Sequence, residues 1–291
     1  MGWLDIFINR RSGEAEMSFL EHLEELRWHI IRSLIAIVAV AIVFFLNKSF
    51  LFDKIILAPK HPDFWTYRQM CRLGDLLNMP GLCIQGFNFS ITNIDLSAQF
   101  MIHLQTAFTM GLMLAFPYVL WEFRRFISPA LHEKEKSAAS GIVLAGSLLF
   151  YVGVLFGYYM IIPFTVFFLG TYQVSAEVSN QINLSSYIEM VTGLGFACGL
   201  VFEFPLVIYF LATIGLATHE FLSQYRKLAI VIILFVAAII TPSPDMFSQT
   251  LVALPLYGLF EIGIVISKRV SKRKARQKQL EEAKLLAESE V

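Results

Sequence analysis

The sequence predicts an all-α integral membrane protein of six transmembrane helices, several of them kinked by proline, with both termini cytoplasmic. Three observations carry that expectation. Hydrophobic residues make up 56% of the 291 positions, 27 of them Phe, and mean hydropathy is +0.63; a soluble globular chain is less apolar. Six apolar stretches stand apart, at about 28–46, 98–121, 138–170, 187–217, 228–241 and 247–266. The basic residues are also one-sided. The segment through Arg32, the second loop, the fourth loop and the tail hold 18 of 23 Lys+Arg, and the third and fifth loops hold none. The positive-inside rule makes the basic side cytoplasmic. The formal charge is zero, so global charge points to no nucleic-acid partner.

Taken in order, residues 1–27 form a cytoplasmic segment that is amphipathic from about position 17 and runs into the first span. Its charged character predicts no cleavable signal peptide. The six spans occupy 28–267, and 268–291 form a basic cytoplasmic tail, expected as a frayed helix. Between the first two spans lies a long extramembrane loop, 47–97, with Pro59, Pro62 and Pro80. Cys71 and Cys83 lie in it, 12 positions apart. In an oxidising compartment they could pair, with a closure contribution of about 3 kcal/mol. A disulfide is favoured slightly over two free thiols. Cys198 reads as a packing residue in an apolar span. Pro117, Pro163, Pro205 and Pro255 place a proline in four of the six spans, where kinks are expected.

Between Gly193 and Leu216 the fourth span carries one charged residue, Glu203. Putting an ionised carboxylate in hydrocarbon costs roughly 3 kcal/mol on insertion scales. Such a group faces a partner, a water-filled cavity or a transported species, or else it is satisfied inside its own bundle. Gly195, Gly199 and Glu203 recur at four-residue spacing and share one helix face, and two glycines four apart admit another helix closely. The fifth span is short. Its fourteen residues cover about 21 Å against a hydrocarbon core of about 30 Å. Thr241, Asp245 and Gln249 would then lie below the outer surface, either as a functional thinning or as a shielded hairpin.

No nucleotide loop, zinc spacing or catalytic triad is present in the sequence, so neither an enzyme nor a metal or cofactor site is expected. Glu24, Glu25, Glu133 and Glu135 place acids on an otherwise basic face. They could receive a peptide bearing two guanidinium groups, which carboxylates bind in planar, often bidentate geometry. The alternative is pairing with Arg27, Lys134 or Lys136.

Five motifs then carry a family resemblance: HLEELR at 22–27, FISPALHEKEK at 126–136, FYVGVLFGYYMIIP at 150–163, GLVFEFPLV at 199–207 and TPSPDMFSQTLVALPLYGLFEIG at 241–263. In this order on a six-span pattern, the chain resembles the TatC subunit of the twin-arginine protein translocase, from about residue 18 to 267. The resemblance implies a concave bundle in the cytoplasmic (inner) membrane. It also implies a receptor for twin-arginine signal peptides that exports folded proteins with single-span TatA- and TatB-type partners, in a hetero-oligomeric complex driven by the proton-motive force. It assigns signal-peptide contacts to Glu25, Arg27, Phe126 and Glu135, and partner-helix docking to Glu203, Thr241 and Gln249, with Gly195 and Gly199 on the same face as Glu203. The sequence departs from the family in its enlarged first outer loop and in TPSPD, one residue longer than the usual turn. The rival classes are a proton- or ion-coupled solute transporter with Glu203 as its protonation site, and a non-transporting scaffold.

Overall fold

The computed structural model describes residues 19–79, 83, 89–127, 139–175, 177–178, 180–241 and 246–289. Within them the chain is almost wholly helical, because backbone polar groups in hydrocarbon must be satisfied within the segment itself. Helix α1 (Phe19–Leu46) carries the amphipathic segment into the first apolar stretch without a break. After the stretch 47–97, with α2 (Trp65–Leu77) in it, α3 (Ala98–Ile127) returns alongside α1.

The next two apolar stretches are each divided in the middle. Helix α4 (Ala139–Phe156) widens into a π-helical turn, Gly157–Ile161, before α5 (Ile162–Thr171). Helix α6 (Leu184–Phe202) meets α7 (Phe204–Ile214) at Glu203. In both cases a proline, Pro163 or Pro205, sits just inside the second half, where its missing N–H withdraws one ladder bond. Pro117 and Pro255 instead lie inside continuous helices. One turn before Pro117, the Leu114 carbonyl takes an extra hydrogen bond from the Tyr151 hydroxyl at 2.9 Å.

A short helix, α8 (His219–Gln224), precedes α9 (Arg226–Ile240), and α10 (Met246–Ser289) closes the chain. Among the described residues five helices are long and apolar enough to cross a membrane: Leu23–Leu46, Ala98–Phe126, Gly141–Thr171, Leu184–Ile214 and Ser248–Arg276. The expected fifth span is α9, whose 15 residues reach only about 22 Å at 1.5 Å each. Helix α10 runs on through the basic tail to Ser289 as one element of 44 residues, where the sequence suggested fraying.

The stretch 47–97 is more structured than its prolines suggest. A π-helical turn (Phe50–Ile56) and a 3-10 turn (Ala58–Lys60) fold back over the bundle. Helix α2 ends on Asn78 in the left-handed conformation, φ 52°, which Asn tolerates better than most residues. Cys71 and Cys83 are joined as a disulfide. Strand β1 (Ser90–Thr92) pairs in parallel with β2 (Gln181–Asn183). Three phenols then pin this cap. Tyr67 donates within 3.0 Å of the Pro59 and Pro163 carbonyls, Tyr158 bonds the Ile55 carbonyl at 2.7 Å, and Tyr187 the Ile56 carbonyl at 3.1 Å. Tyr67 is almost fully buried, and burial pushes its phenol well above the ordinary range.

Phe150 is fully buried and stacked on Phe116 with ring centroids 3.7 Å apart. Gly199 makes that possible: a Cβ there would lie 2.6 Å from the Phe150 ring and 2.8 Å from Val154.

Candidate functional site

Two polar places stand out in this apolar bundle. The first lies where the start of α1 meets the end of α3. Glu25 and His29 are four apart on α1, and Tyr118, Glu122 and Phe126 recur at four-residue spacing on α3, so each set forms one stripe. The stripes face each other. His29 Nδ1 donates to Glu122 Oε2, and Tyr118 donates to Glu122 Oε1 at 2.9 Å. His29 Nε2 lies 4.0 Å from Glu25 Oε1, and the Phe126 ring meets the imidazole edge-on at 6.1 Å. Burial grades the site. Glu122 is 1% exposed and His29 7%, whereas the Glu25 side chain is 36% exposed. Glu122 thus has both oxygens engaged inside, while Glu25 stands at the rim, partly exposed.

Arg27 is exposed and lies with its guanidinium 5.8 Å from the neighbouring Trp28 ring. Arg125 sits 5.2 Å over Trp121. Of the four residues assigned to signal-peptide contact, Glu25 and Phe126 come together around His29, whereas Arg27, two positions from both Glu25 and His29 on α1, lies off that stripe. Glu135, with Glu133, lies outside the described residues. Sequence reasoning overlooked His29 and Glu122. Their signal was the four-residue spacing of polar and aromatic groups at two adjacent helix ends.

The second place is the α6/α7 junction. Glu203 is 8% exposed, and among the described residues neither carboxylate oxygen has a hydrogen-bond partner. Its backbone explains the local bend: its N–H bonds the Leu200 carbonyl at 3.1 Å, and its carbonyl accepts from Leu206 and Val207. Across from it lies Gly146 of α4, where a Cβ would come within 3.2 Å of Glu203 Oε2. The glycine face below Glu203 is occupied by this chain itself. Gly199 packs on Phe150 and Val154, and Gly195 looks toward Met113. The close approach predicted from their spacing is therefore made by α4 and α3, which leaves those two glycines no room for a partner helix in this arrangement.

Thr241 is buried and bonds the Ala237 carbonyl at 2.9 Å. Gln249 donates to the Leu234 carbonyl at 3.1 Å and so ties α10 to α9. Asp245 lies outside the described residues. At the other end of α9, Arg226 pairs with Glu261 at 3.1 Å, and Tyr257 also bonds Glu261. Among the described residues no three His, Cys, Asp or Glu side chains converge to hold a metal ion.

Comparison with known proteins agrees with this architecture. The family model "Sec-independent protein translocase protein (TatC)" matches residues 21–255. The TatC protein of Blattabacterium sp. subsp. Periplaneta americana is 40% identical over 266 residues, covering 91% of this chain and all of the relative. TatCy of Bacillus subtilis is 33% identical over 90% of this chain and 92% of its own length. A crystal structure of the twin arginine translocase receptor TatC superimposes with a TM-score of 0.63 at 31% identity, covering 86% of this chain and all of that one.

Proposed function

The chain belongs to the TatC family of Sec-independent protein translocases, and on that premise we propose that it is the subunit that recognises twin-arginine signal peptides. The observation that carries this reading is the rim position of Glu25 beside the buried His29–Glu122–Tyr118 network. Two helices hold a half-exposed carboxylate at a fixed place, next to an aromatic ring on which an arginine plane can rest. A guanidinium fork gains most from an acceptor that is already positioned. Glu135 supplies the second acid, and Arg27 and Phe126 line the approach.

In this reading the termini and the recognition site face the cytoplasm, in the inner membrane. The concentration of Lys and Arg at that end supports the orientation. So does the Cys71–Cys83 disulfide at the opposite end, where an oxidising compartment would maintain it. The short helix α9 serves as a sixth crossing, with the bilayer thinned around it. TatA- and TatB-type single-span partners dock by the α6/α7 junction, and proton-motive force drives export of the folded passenger. The unpartnered Glu203 carboxylate is the group offered to such a partner. It also favours a second reading, a proton-coupled solute transporter, in which reconstituted protein alone would show pH-dependent flux of a small solute.

Site-specific crosslinking of a twin-arginine signal peptide to the full chain tests recognition. Glu25→Ala combined with Glu135→Ala should abolish the crosslink, and a twin-lysine peptide should crosslink poorly to the wild type. Undiminished crosslinking in the double variant would refute the assignment.

A further inference from the structure

Helix α2 carries two apolar faces, and the bundle uses one of them. On its inner face Tyr67 and Gly74 are buried, and the Thr66 hydroxyl donates to the Tyr159 carbonyl. At about 100° per residue, Trp65, Leu73 and Leu76 fall within roughly 80° of arc on a different face. Trp65 and Leu73 are half-exposed and Leu76 is 82% exposed. Arg68 and Arg72, also exposed, run along one edge of that stripe. An apolar stripe with a Trp at one end and a basic edge is the composition of a helix lying in a lipid interface.

The placement of α2 brings that face to the bilayer. Helix α4 and the turn after it expose a row of Leu144, Leu148, Val152, Leu155 and Tyr159, the side on which a spanning helix meets lipid. From Gly141, where the apolar span begins, to Tyr159 the helix rises about 27 Å, close to the hydrocarbon core of about 30 Å. Past the π-helical turn the exposure changes: Ile162, Pro163, Thr165, Val166 and Gly170 of α5 are buried. Tyr159 therefore marks the level at which lipid gives way to the cap. Trp65 meets the Tyr159 ring edge-on, with centroids 5.6 Å apart, so the stripe on α2 begins where the lipid-facing row of α4 ends. The two make one continuous apolar surface.

From this continuity we infer that α2 is an interfacial membrane anchor: Trp65, Leu73 and Leu76 enter the leaflet at the cap end of the bundle, and Arg68 and Arg72 reach its phosphates. The basic edge selects the occupant, since guanidinium groups bind phosphate oxygens in fork geometry. Through the bonds of Thr66 and Tyr67 to the Tyr159 and Pro163 carbonyls, the anchor also holds the break between α4 and α5 at a fixed height on the membrane.

The test uses the full-length protein in lipid nanodiscs, with a nitroxide attached at Leu73→Cys, Leu76→Cys or Asp75→Cys. Cys71 and Cys83 are bonded and Cys198 is buried, so the label goes to the new thiol. Relaxation by oxygen, which concentrates in lipid, and by a water-soluble nickel chelate gives the depth of each label. At both leucine positions the nitroxide should read about 5–10 Å below the phosphates, and at Asp75, on the polar edge, above them. Chelate access at the leucine positions equal to that at Asp75 would overturn the inference, because the face would then be in water. Shielding from both oxygen and chelate would also overturn it, because a second copy or another protein would then cover the face. If a cysteine variant does not fold, quenching by lipids brominated high on their acyl chains takes its place. The wild type should then lose more fluorescence than Trp65→Phe, and an equal loss would overturn the inference.

Discussion

Removing the Glu122 carboxylate should destabilise the protein more than any other single polar change at this end of the bundle. In Glu122→Ala, His29 loses a charge-assisted hydrogen bond while remaining 7% exposed. A bond of that kind is worth about 1.5–3 kcal/mol net. The Tyr118 hydroxyl also loses its acceptor, but Tyr118 is partly exposed and water can replace it, so about 0.5–1 kcal/mol is lost there. The truncated side chain is 1% exposed and leaves a void between α1 and α3, which adds about 1 kcal/mol. Together these come to about 3–5 kcal/mol. In a chain of this size that lowers Tm by roughly 6–15 °C. The assay is built into the molecule. With Cys71 and Cys83 bonded, Cys198 is the one free thiol and it is buried, so labelling by a thiol-reactive dye reports unfolding. Glu122→Ala combined with His29→Ala should cost at least 1 kcal/mol less than the sum of the single changes. A Glu122→Ala melt within 2 °C of the wild type, or strict additivity in the double variant, would refute the idea that this pair locks α1 to α3.

Gly199→Ala should lower stability by about 1–3 kcal/mol, because the new methyl meets Phe150 at 2.6 Å; Gly193→Ala on the same helix, with nothing within 4 Å, should be neutral or gain up to about 1 kcal/mol. In thermal melts, Tyr67→Phe should cost about 1–3 kcal/mol by stripping a hydroxyl from two buried carbonyls. Because folding raises the Tyr67 pKa, its contribution is whole below about pH 10 and is lost as pH climbs above it. The wild type should therefore lose Tm faster than Tyr67→Phe above pH 10. Glu203→Leu should melt at or above the wild-type temperature, since it removes a buried carboxylate with no hydrogen-bond partner among the described residues, while export of a twin-arginine passenger falls. A melt several degrees lower would mean that Glu203 is held by a partner group within this chain.

Much of the architecture was legible because it follows from local rules. An apolar run in hydrocarbon has little choice but to be helical, so the positions of the long spans could be read directly, and the shortness of α9 could be counted. The breaks next to Pro163 and Pro205 follow from single-residue backbone preferences. The same preference did not break α3 at Pro117 or α10 at Pro255, because neighbouring helices can hold a proline-containing helix together. Proline identity alone does not report those neighbours.

The site divides in the same way. An acid in the middle of an apolar run and acids at a helix start are properties of one segment, and a linear reading finds them. The His29–Glu122 bond joins residues 93 positions apart, and β1–β2 joins the loops outside two different spans. Nothing local couples those pairs. Spacing likewise showed that Gly195 and Gly199 share a face and admit close approach, yet only packing decided that Phe150, Val154 and Met113 of this same chain fill it. Helix formation and membrane partition are set by consecutive residues and their periodicity, so they are written along the chain. Which acid is open and which is engaged depends on what a second helix brings within about 3 Å, and that is settled only when the helices dock.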